Sequence, residues 1–341
     1  MPKQPKHIVA IRLSAMGDVA MTVPVIRALV NQHPQLKITV LTRELYKPFF
    51  RHIPNVSVFP AHVKEEHKGV LGLKKLAKQL KAQNIDVIAD LHNVLRTNIL
   101  KFFLSGYPFI QINKGREEKK ALTTGKVFKP LKTTHQRYAD VFEQLGFPID
   151  LTNPTFPEKV KLSSKIQSSI QGDNPKMKTI GIAPFAAHTG KMYPLDLMEQ
   201  VIEMLSKDYK ILLFGGGKQE SKILEGIESS YQNVKNIAGK SSLDEQMDIV
   251  SNLDLMLSMD SANAHIAAML GIKVITIWGV THPFAGFAPF NQPSDYALTA
   301  DRNRFPKIPT SVYGNSYPET YKDAAGTISP ETIISKIKSV I

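Results

Sequence analysis

Residues 253–278 read LDLMLSMDSANAHIAAMLGIKVITIW. An apolar run at 253–258 is followed by the polar pair Asp260-Ser261, a helical stretch at 262–270 and a second apolar run at 273–278. The spacing predicts strand, capped helix, strand. Two strands joined through a helix run parallel, so this segment is one βαβ crossover of a parallel sheet. Asp260 or Ser261 can supply the N-cap. The first-turn N–H groups and the positive end of the helix dipole suit a phosphate, and His265, one turn on, can add a hydrogen bond to it. The same residues also suit a purely structural cap with a packed histidine.

The same rhythm extends in both directions. In the second half it predicts strands at 179–183, 210–214 and 234–237 and helices at 195–206, 219–229 and 243–251. In the first half it predicts strands at 7–13, 37–41, 56–59, 85–89 and 109–112 and helices at 19–31, 71–83, 94–104 and 135–145. Between them, residues 150–159 carry Asn153-Pro154 and Phe156-Pro157, which break helix and strand alike and read as an interdomain connection. Residues 283–318 hold six prolines and read as loop. Ser329 and Pro330 then open a last helix as N-cap and first residue. The expectation is an α/β chain of two Rossmann-like, doubly wound parallel-sheet domains, 1–158 and 159–328, with a helix at 329–341. Two such domains place ligands in a cleft between their carboxyl edges.

With 341 residues the chain is long enough for two cores, and 43% hydrophobic against 21% charged residues excludes wholesale disorder. The absence of cysteine removes disulfides, thiolate metal sites and a cysteine nucleophile. The basic hexapeptide Met1–Lys6 leads into an apolar stretch too short and too charged for a signal peptide, and no apolar run approaches the ~20 residues of a membrane span, so the expected location is the cytoplasm. The net charge of +13 lies wholly in residues 1–150, with 24 basic and 11 acidic side chains, and residues 64–137 alone hold 16 against 6. Such a field either draws the protein to polyanions and anionic membrane surfaces or serves as a solvated lysine-rich face. Nucleic acid is disfavoured, because no recognisable binding module interleaves the lysines.

Four further motifs carry chemistry. Ser14-Ala15-Met16-Gly17-Asp18 follows the first strand, with a single glycine where a dinucleotide fingerprint needs three and with no Gly-Lys-Ser/Thr of a P-loop. Its Asp18 can take a proton from a substrate hydroxyl or simply cap the helix. Gly215-Gly216-Gly217 lets a ligand approach the backbone closely, with Glu220 beyond it to accept from ribose hydroxyls. Lys191, in the loop after the strand at 179–183, can neutralise a diphosphate or remain solvated. Asp90, His92 and Arg96 end the strand at 85–89 and either line an anionic acceptor site or form an internal Asp–Arg pair. No histidine spacing suits a metal, and no nucleophile elbow is present.

In order along the chain, I-R-L-S-A-M-G-D-V (11–19), I-D-V-I-A-D-L-H-N-V-L-R (85–96), H-Q-R-Y (135–138) before L-G-F-P (145–148), G-K-M-Y-P (190–194), L-L-F-G-G-G (212–217) and above all the segment 260–283 from D-S-A-N-A-H to T-H-P resemble glycosyltransferase family 9, the ADP-heptose:lipopolysaccharide heptosyltransferases. The resemblance implies the GT-B fold and an inverting, metal-independent transferase that needs no cofactor beyond its nucleotide-sugar donor, ADP-heptose. It implies Asp18 as general base. It places Lys191, Gly215, Gly216, Glu220, Asp260, Ser261, Ala262 and His265 at the donor, and Ser14, Met16, Gly17, His92 and Arg96 at the acceptor. The implied acceptor is an anionic glycolipid such as a lipopolysaccharide core, met at the inner face of the cytoplasmic membrane, and the last helix is expected to fold back toward the N-terminal domain. Ala262 stands where the family usually has glycine, Gly217 and Lys218 intervene before an acidic residue, and Gly279-Val280-Thr281 replaces a common Gly-Pro-Thr. The alternatives are a GT-B transferase of other specificity and a non-catalytic nucleotide- or polyanion-binding protein on the same fold; a nicotinamide oxidoreductase is disfavoured by the missing fingerprint.

Overall fold

The computed structural model describes residues 5–170 and 177–341, so most of the basic N-terminal hexapeptide lies outside the described residues. The chain forms two compact units, Met1–Lys114 with Lys132–Phe156, and Gly115–Leu131 with Pro157–Ile341.

The first unit is built on β1 (His7–Ile11), β2 (Lys37–Thr42), β3 (Val56–Pro60), β4 (Val87–Asp90) and β5 (Phe109–Gln111). All pair in parallel, in the order β3-β2-β1-β4-β5. Both faces of the central strands are covered, so β1 is buried along its whole length, as a near-continuous apolar run requires. The first predicted helix is two, α1 (Met16–Ala20) and α2 (Thr22–Gln32). Pro24 has no N–H to return to the turn before it, and the break falls at Met21, just ahead of it. α3 (Gly69–Lys81) and α4 (Leu95–Phe103) cover one face of the sheet, with Leu73, Leu76 and Leu80 meeting Val9, Ile11 and Leu100 in one core.

β5 is followed by α5 (Arg116–Thr123), which the periodicity did not reveal because only Lys119 and Leu122 of its eight residues are buried. Residues 115–131, expected in the first domain, belong to the second unit. The Lys119 ammonium lies 4.2 Å from the Phe287 ring centroid, the Arg302 guanidinium lies 3.4 Å from that of Phe128, and Leu131 N–H donates to the Phe284 carbonyl at 2.9 Å. The chain then returns to the first unit with α6 (Thr134–Gln144), N-capped by the Thr133 hydroxyl.

In the second unit, α7 (Ser164–Ile170) precedes β6 (Thr179–Ala183), and α8 (Leu195–Ser206) leads to β7 (Lys210–Leu213). There follow α9 (Gly217–Ser230), β8 (Val234–Asn236), α10 (Leu243–Ser251), β9 (Leu255–Met259), α11 (Ala262–Met269) and β10 (Val274–Trp278). β11 (Ala297–Thr299), inside the proline-rich stretch read as loop, adds an edge strand. The parallel sheet runs β11-β10-β9-β6-β7-β8. α12 (Pro330–Val340) opens with the Ser329 hydroxyl accepting from Thr332 N–H. Its Ile333, Ile334 and Ile337 belong to the core of this second unit and the helix lies on α8.

Candidate active site

In open parallel sheets a ligand sits where neighbouring strands send their outgoing connections in opposite directions. In the first unit that point lies between β1, which leads to β2, and β4, which leads to β5. In the second it lies between β6 and β9. The loops leaving these four strands carry Ser14–Asp18, Asp90–Arg96, Lys191 and Asp260–His265.

At the first switch point Asp18 stands in the first turn of α1, partly open to solvent. Its Oδ2 meets the Arg12 guanidinium at 2.7 Å and accepts from Ala15 N–H at 3.2 Å. No described residue donates to its other oxygen, so the carboxylate is held by one edge and presents the other. It therefore caps its helix while keeping a free acceptor. Arg12 is fixed in turn: Nε donates to the Ser14 carbonyl at 2.7 Å and Nη1 to the Leu91 carbonyl at 2.8 Å. Tyr138, wholly buried, donates its hydroxyl to the Asp18 carbonyl at 3.3 Å. Met16 and Gly17 form the half-buried turn between Ser14 and Asp18.

After β4, Asp90 is fully buried. It accepts from the His92 and Asn93 N–H groups, each at 2.9 Å, and from the Gln111 amide at 2.9 Å. It shapes the loop, and neither the Asp90–Arg96 pair nor an open acceptor carboxylate forms. Arg96 is exposed on the first turn of α4. His92 is buried, and its Nδ1 has no hydrogen-bond partner among the described residues. Burial, then the charges of Arg12 and Lys114, lower its imidazole to about 3, so it is neutral at ordinary pH.

At the second switch point Lys191 closes a 3-10 turn, Thr189–Lys191, and its ammonium meets Asp260 Oδ2 at 2.8 Å. The Thr281 hydroxyl donates to the same oxygen at 3.0 Å. A close backbone approach joins the loops after β6 and β10: Val280 N–H donates to the Gly190 carbonyl at 2.9 Å, and a Cβ at Gly279 would overlap that carbonyl oxygen. Ser261 occupies the N-cap of α11, but its hydroxyl bonds to Ser258 at 3.0 Å and makes no side-chain cap. The amides of the first turn, beginning at Ala262, are thus left without a side-chain acceptor, and His265 is buried one turn further on. Gly215 and Gly216 follow β7, the strand beside β6. Glu220 turns back on this loop, where Oε2 accepts from Gly216 N–H at 2.6 Å, so one of the oxygens read as a ribose acceptor is engaged locally.

The structure thus groups Asp18 with Ser14, Met16, Gly17 and His92, and Lys191 with Asp260, Ser261 and Ala262. Sequence reading missed Arg12, taken as strand interior, and Thr281, the second donor to Asp260. It also missed the loop at 310–317, in which Tyr317 hydrogen-bonds Thr189 at 2.6 Å and Gly314, at φ +74°, lies against the Lys191 stem. Among the described residues, no three His, Asp or Glu side chains are grouped to hold a metal.

The chain is 25% identical over 311 residues to the lipopolysaccharide core heptosyltransferase OpsX of Haemophilus influenzae, covering 88% of this chain and 86% of that one. Its fold matches a family 9 glycosyltransferase from Veillonella parvula with a TM-score of 0.75 at 18% identity, covering 98% and 97% of the two chains. It matches the E. coli heptosyltransferase WaaC with ADP with a TM-score of 0.70 at 16% identity, covering 98% and 100%. The model of glycosyltransferase family 9 (heptosyltransferase) matches residues 73–314, which take in the β4 loop, Lys191, the glycine turn and the whole of the βαβ crossover around Asp260. With two parallel-sheet units of the GT-B kind and most of its length inside that match, the chain belongs to glycosyltransferase family 9 and is a glycosyltransferase.

Proposed function

We propose that this protein transfers heptose from ADP-heptose to a lipopolysaccharide-core or similar glycolipid acceptor, with inversion at the anomeric carbon and without a metal. The observation that carries this reading is that the first unit holds a half-free carboxylate, Asp18, at its switch point and the second unit holds an ammonium beside an uncapped helix start, Lys191 and α11, at its own. Asp18 Oδ1 takes the proton from the acceptor hydroxyl as its oxygen attacks the anomeric carbon. The bond to the nucleotide diphosphate breaks, and the leaving group departs with its electron pair. Lys191 and the amides at Ser261 and Ala262 neutralise the charge that develops on it. Ser14, Met16, Gly17, His92 and Arg96 surround the acceptor; Gly215, Gly216, Glu220 and His265 complete the donor site. The bound nucleotide sugar is the sole small molecule required. An acceptor of this class sits at the inner face of the cytoplasmic membrane, and the basic first half draws the protein there as a peripheral partner. Among the described residues no helix is long and apolar enough to cross a membrane.

Asp18→Asn tests the base. Release of ADP during transfer should fall by about 10²–10⁴-fold, while calorimetric ADP affinity stays unchanged. Wild-type turnover in this variant removes Asp18 from the mechanism. The same assay with EDTA tests metal independence, and ADP-, GDP-, UDP- and CMP-linked sugars compared by thermal shift test the donor.

A further inference from the structure

Of the nine large apolar side chains that stand exposed among the described residues, four lie on α3 and α4: Val70, Leu71, Leu95 and Phe102, at 56, 82, 77 and 74% exposure. This is a concentration on two helices that lie side by side. The inner side of α3 is committed to the core through Leu73, Leu76 and Leu80. At 100° per residue, Leu71, Lys74 and Lys78 fall on the opposite side, and α3 contains four lysines and no acidic residue. On α4, Leu95 and Phe102 are seven residues apart and share one side.

The position of this face is as informative as its composition. A helix joining parallel strands runs back from the carboxyl edge, so both helices begin at the edge that carries Asp18 and His92. Val70 and Leu71 lie in the first turn of α3, and Leu95 is the first residue of α4, three residues after His92. Apolar side chains standing in solvent among lysines, with no helix or strand of the unit over them, match the two layers of an anionic bilayer surface: phosphate headgroups for the ammonium groups, acyl chains for the leucines and phenylalanine.

We propose that the outer face of α3 and α4 is a docking surface for an anionic phospholipid bilayer, which holds the carboxyl edge of the first sheet at the headgroup level. This deepens the proposed function and rests on it, since docking there brings a lipid-anchored acceptor to Asp18.

The test is flotation of the full-length protein with vesicles of phosphatidylethanolamine containing phosphatidylglycerol, against vesicles of phosphatidylcholine alone. Wild-type protein should float with the anionic vesicles and not the neutral ones. Leu71→Ser with Leu95→Ser should weaken binding by about tenfold or more, at positions too exposed to disturb folding. Lys74→Glu with Lys78→Glu should weaken it by about 25-fold or more, from about fivefold per lysine. Raising salt from about 0.1 M to 1 M should erase the lysine effect and leave the leucine effect. Met204→Ser with Lys207→Glu, similar changes on the exposed side of α8 in the second unit, should leave binding unchanged. Wild-type failure to float, variants that float like wild type, or equal loss in the α8 control overturns the proposal. Turnover of a water-soluble acceptor fragment separates the two readings: the α3 and α4 variants should keep it. If wild-type protein floats as described yet transfers to no acceptor, the function fails while the surface stands.

Discussion

Lys191→Met leaves Asp260 as a buried carboxylate with one remaining side-chain donor, the Thr281 hydroxyl at 3.0 Å. The lost ion pair is 2.8 Å long, and its side chains are only 15% and 6% exposed, so solvent screens it little. Removing one partner of a buried pair typically destabilises by ~3 kcal/mol, mainly because the stranded charge is unsolvated. For a unit of this size that lowers the melting temperature by about 6–12 °C. A loss of ADP binding in this variant alone therefore cannot separate phosphate contact from local unfolding. The double variant Lys191→Met/Asp260→Asn can. It removes the stranded charge, and the new side-chain amide keeps an acceptor oxygen for Thr281, so stability should recover by at least ~1 kcal/mol relative to the sum of the singles. Chemical denaturation of wild type, both singles and the double gives this coupling. In the stabilised double variant, ADP should still fail to raise the melting temperature, whereas it adds about 2.7 kcal/mol to wild type at a hundredfold excess over Kd. Single-variant effects that add to within ~0.5 kcal/mol would show that the pair is not energetically linked, and full ADP stabilisation of the double would remove both residues from the donor site.

Gly279→Ala drives a methyl into the Gly190 carbonyl oxygen, where both sides of the contact are backbone; it should destabilise the second unit by ~1–3 kcal/mol and weaken ADP binding by displacing Lys191. Unchanged melting and unchanged ADP titration would show that the two loops are not held by this approach. His92 sets an acid limit: its folded imidazole titrates at about 3, below the unfolded value of about 6.5. The unfolded chain therefore binds a proton that the folded one refuses as pH falls below about 6.5, and stability declines by about 1.4 kcal/mol per pH unit until about pH 3. His282, lowered by burial and Arg302 to about 4, adds a second slope in the other unit. His92→Gln should flatten the first slope; denaturation midpoints that fall between about pH 7 and pH 5 as steeply as in wild type would refute this.

What could be read in advance follows from how local each signal is. Buried parallel strands are continuous apolar runs, so β6 and α8 were legible to their last residue. α5 was not, because a helix with two buried residues among eight leaves almost no periodic trace. β11 was hidden by the prolines around it; an edge strand three residues long tolerates such neighbours. At the site, loops at the carboxyl edge were legible, since strand–glycine–helix junctions announce themselves. Partners were not. Asp90 was weighed against Arg96, a few residues away in sequence, but it bonds to amides two and three residues on and to Gln111 from the neighbouring strand. The Lys191–Asp260 pair depends on β6 and β9 being adjacent, which is a property of strand order that no window of sequence contains.

The two switch points also hold different cations, arginine at the first and lysine at the second. Arg12 spends its planar fork on fixed acceptors that include two carbonyls and Asp18, and a guanidinium bound in this way has its orientation determined by the scaffold. It is suited to aiming a carboxylate and poorly suited to leaving it. Lys191 has three rotatable donors on a flexible stem. One of them engages Asp260, so the ammonium can turn the others without abandoning its partner. Under the proposed function, the first site holds an acceptor oxygen's proton destination still, and the second follows a charge that moves as the leaving group departs. In-place aim on the one side and adjustable charge on the other is the division of labour that transfer from a diphosphate to a hydroxyl demands.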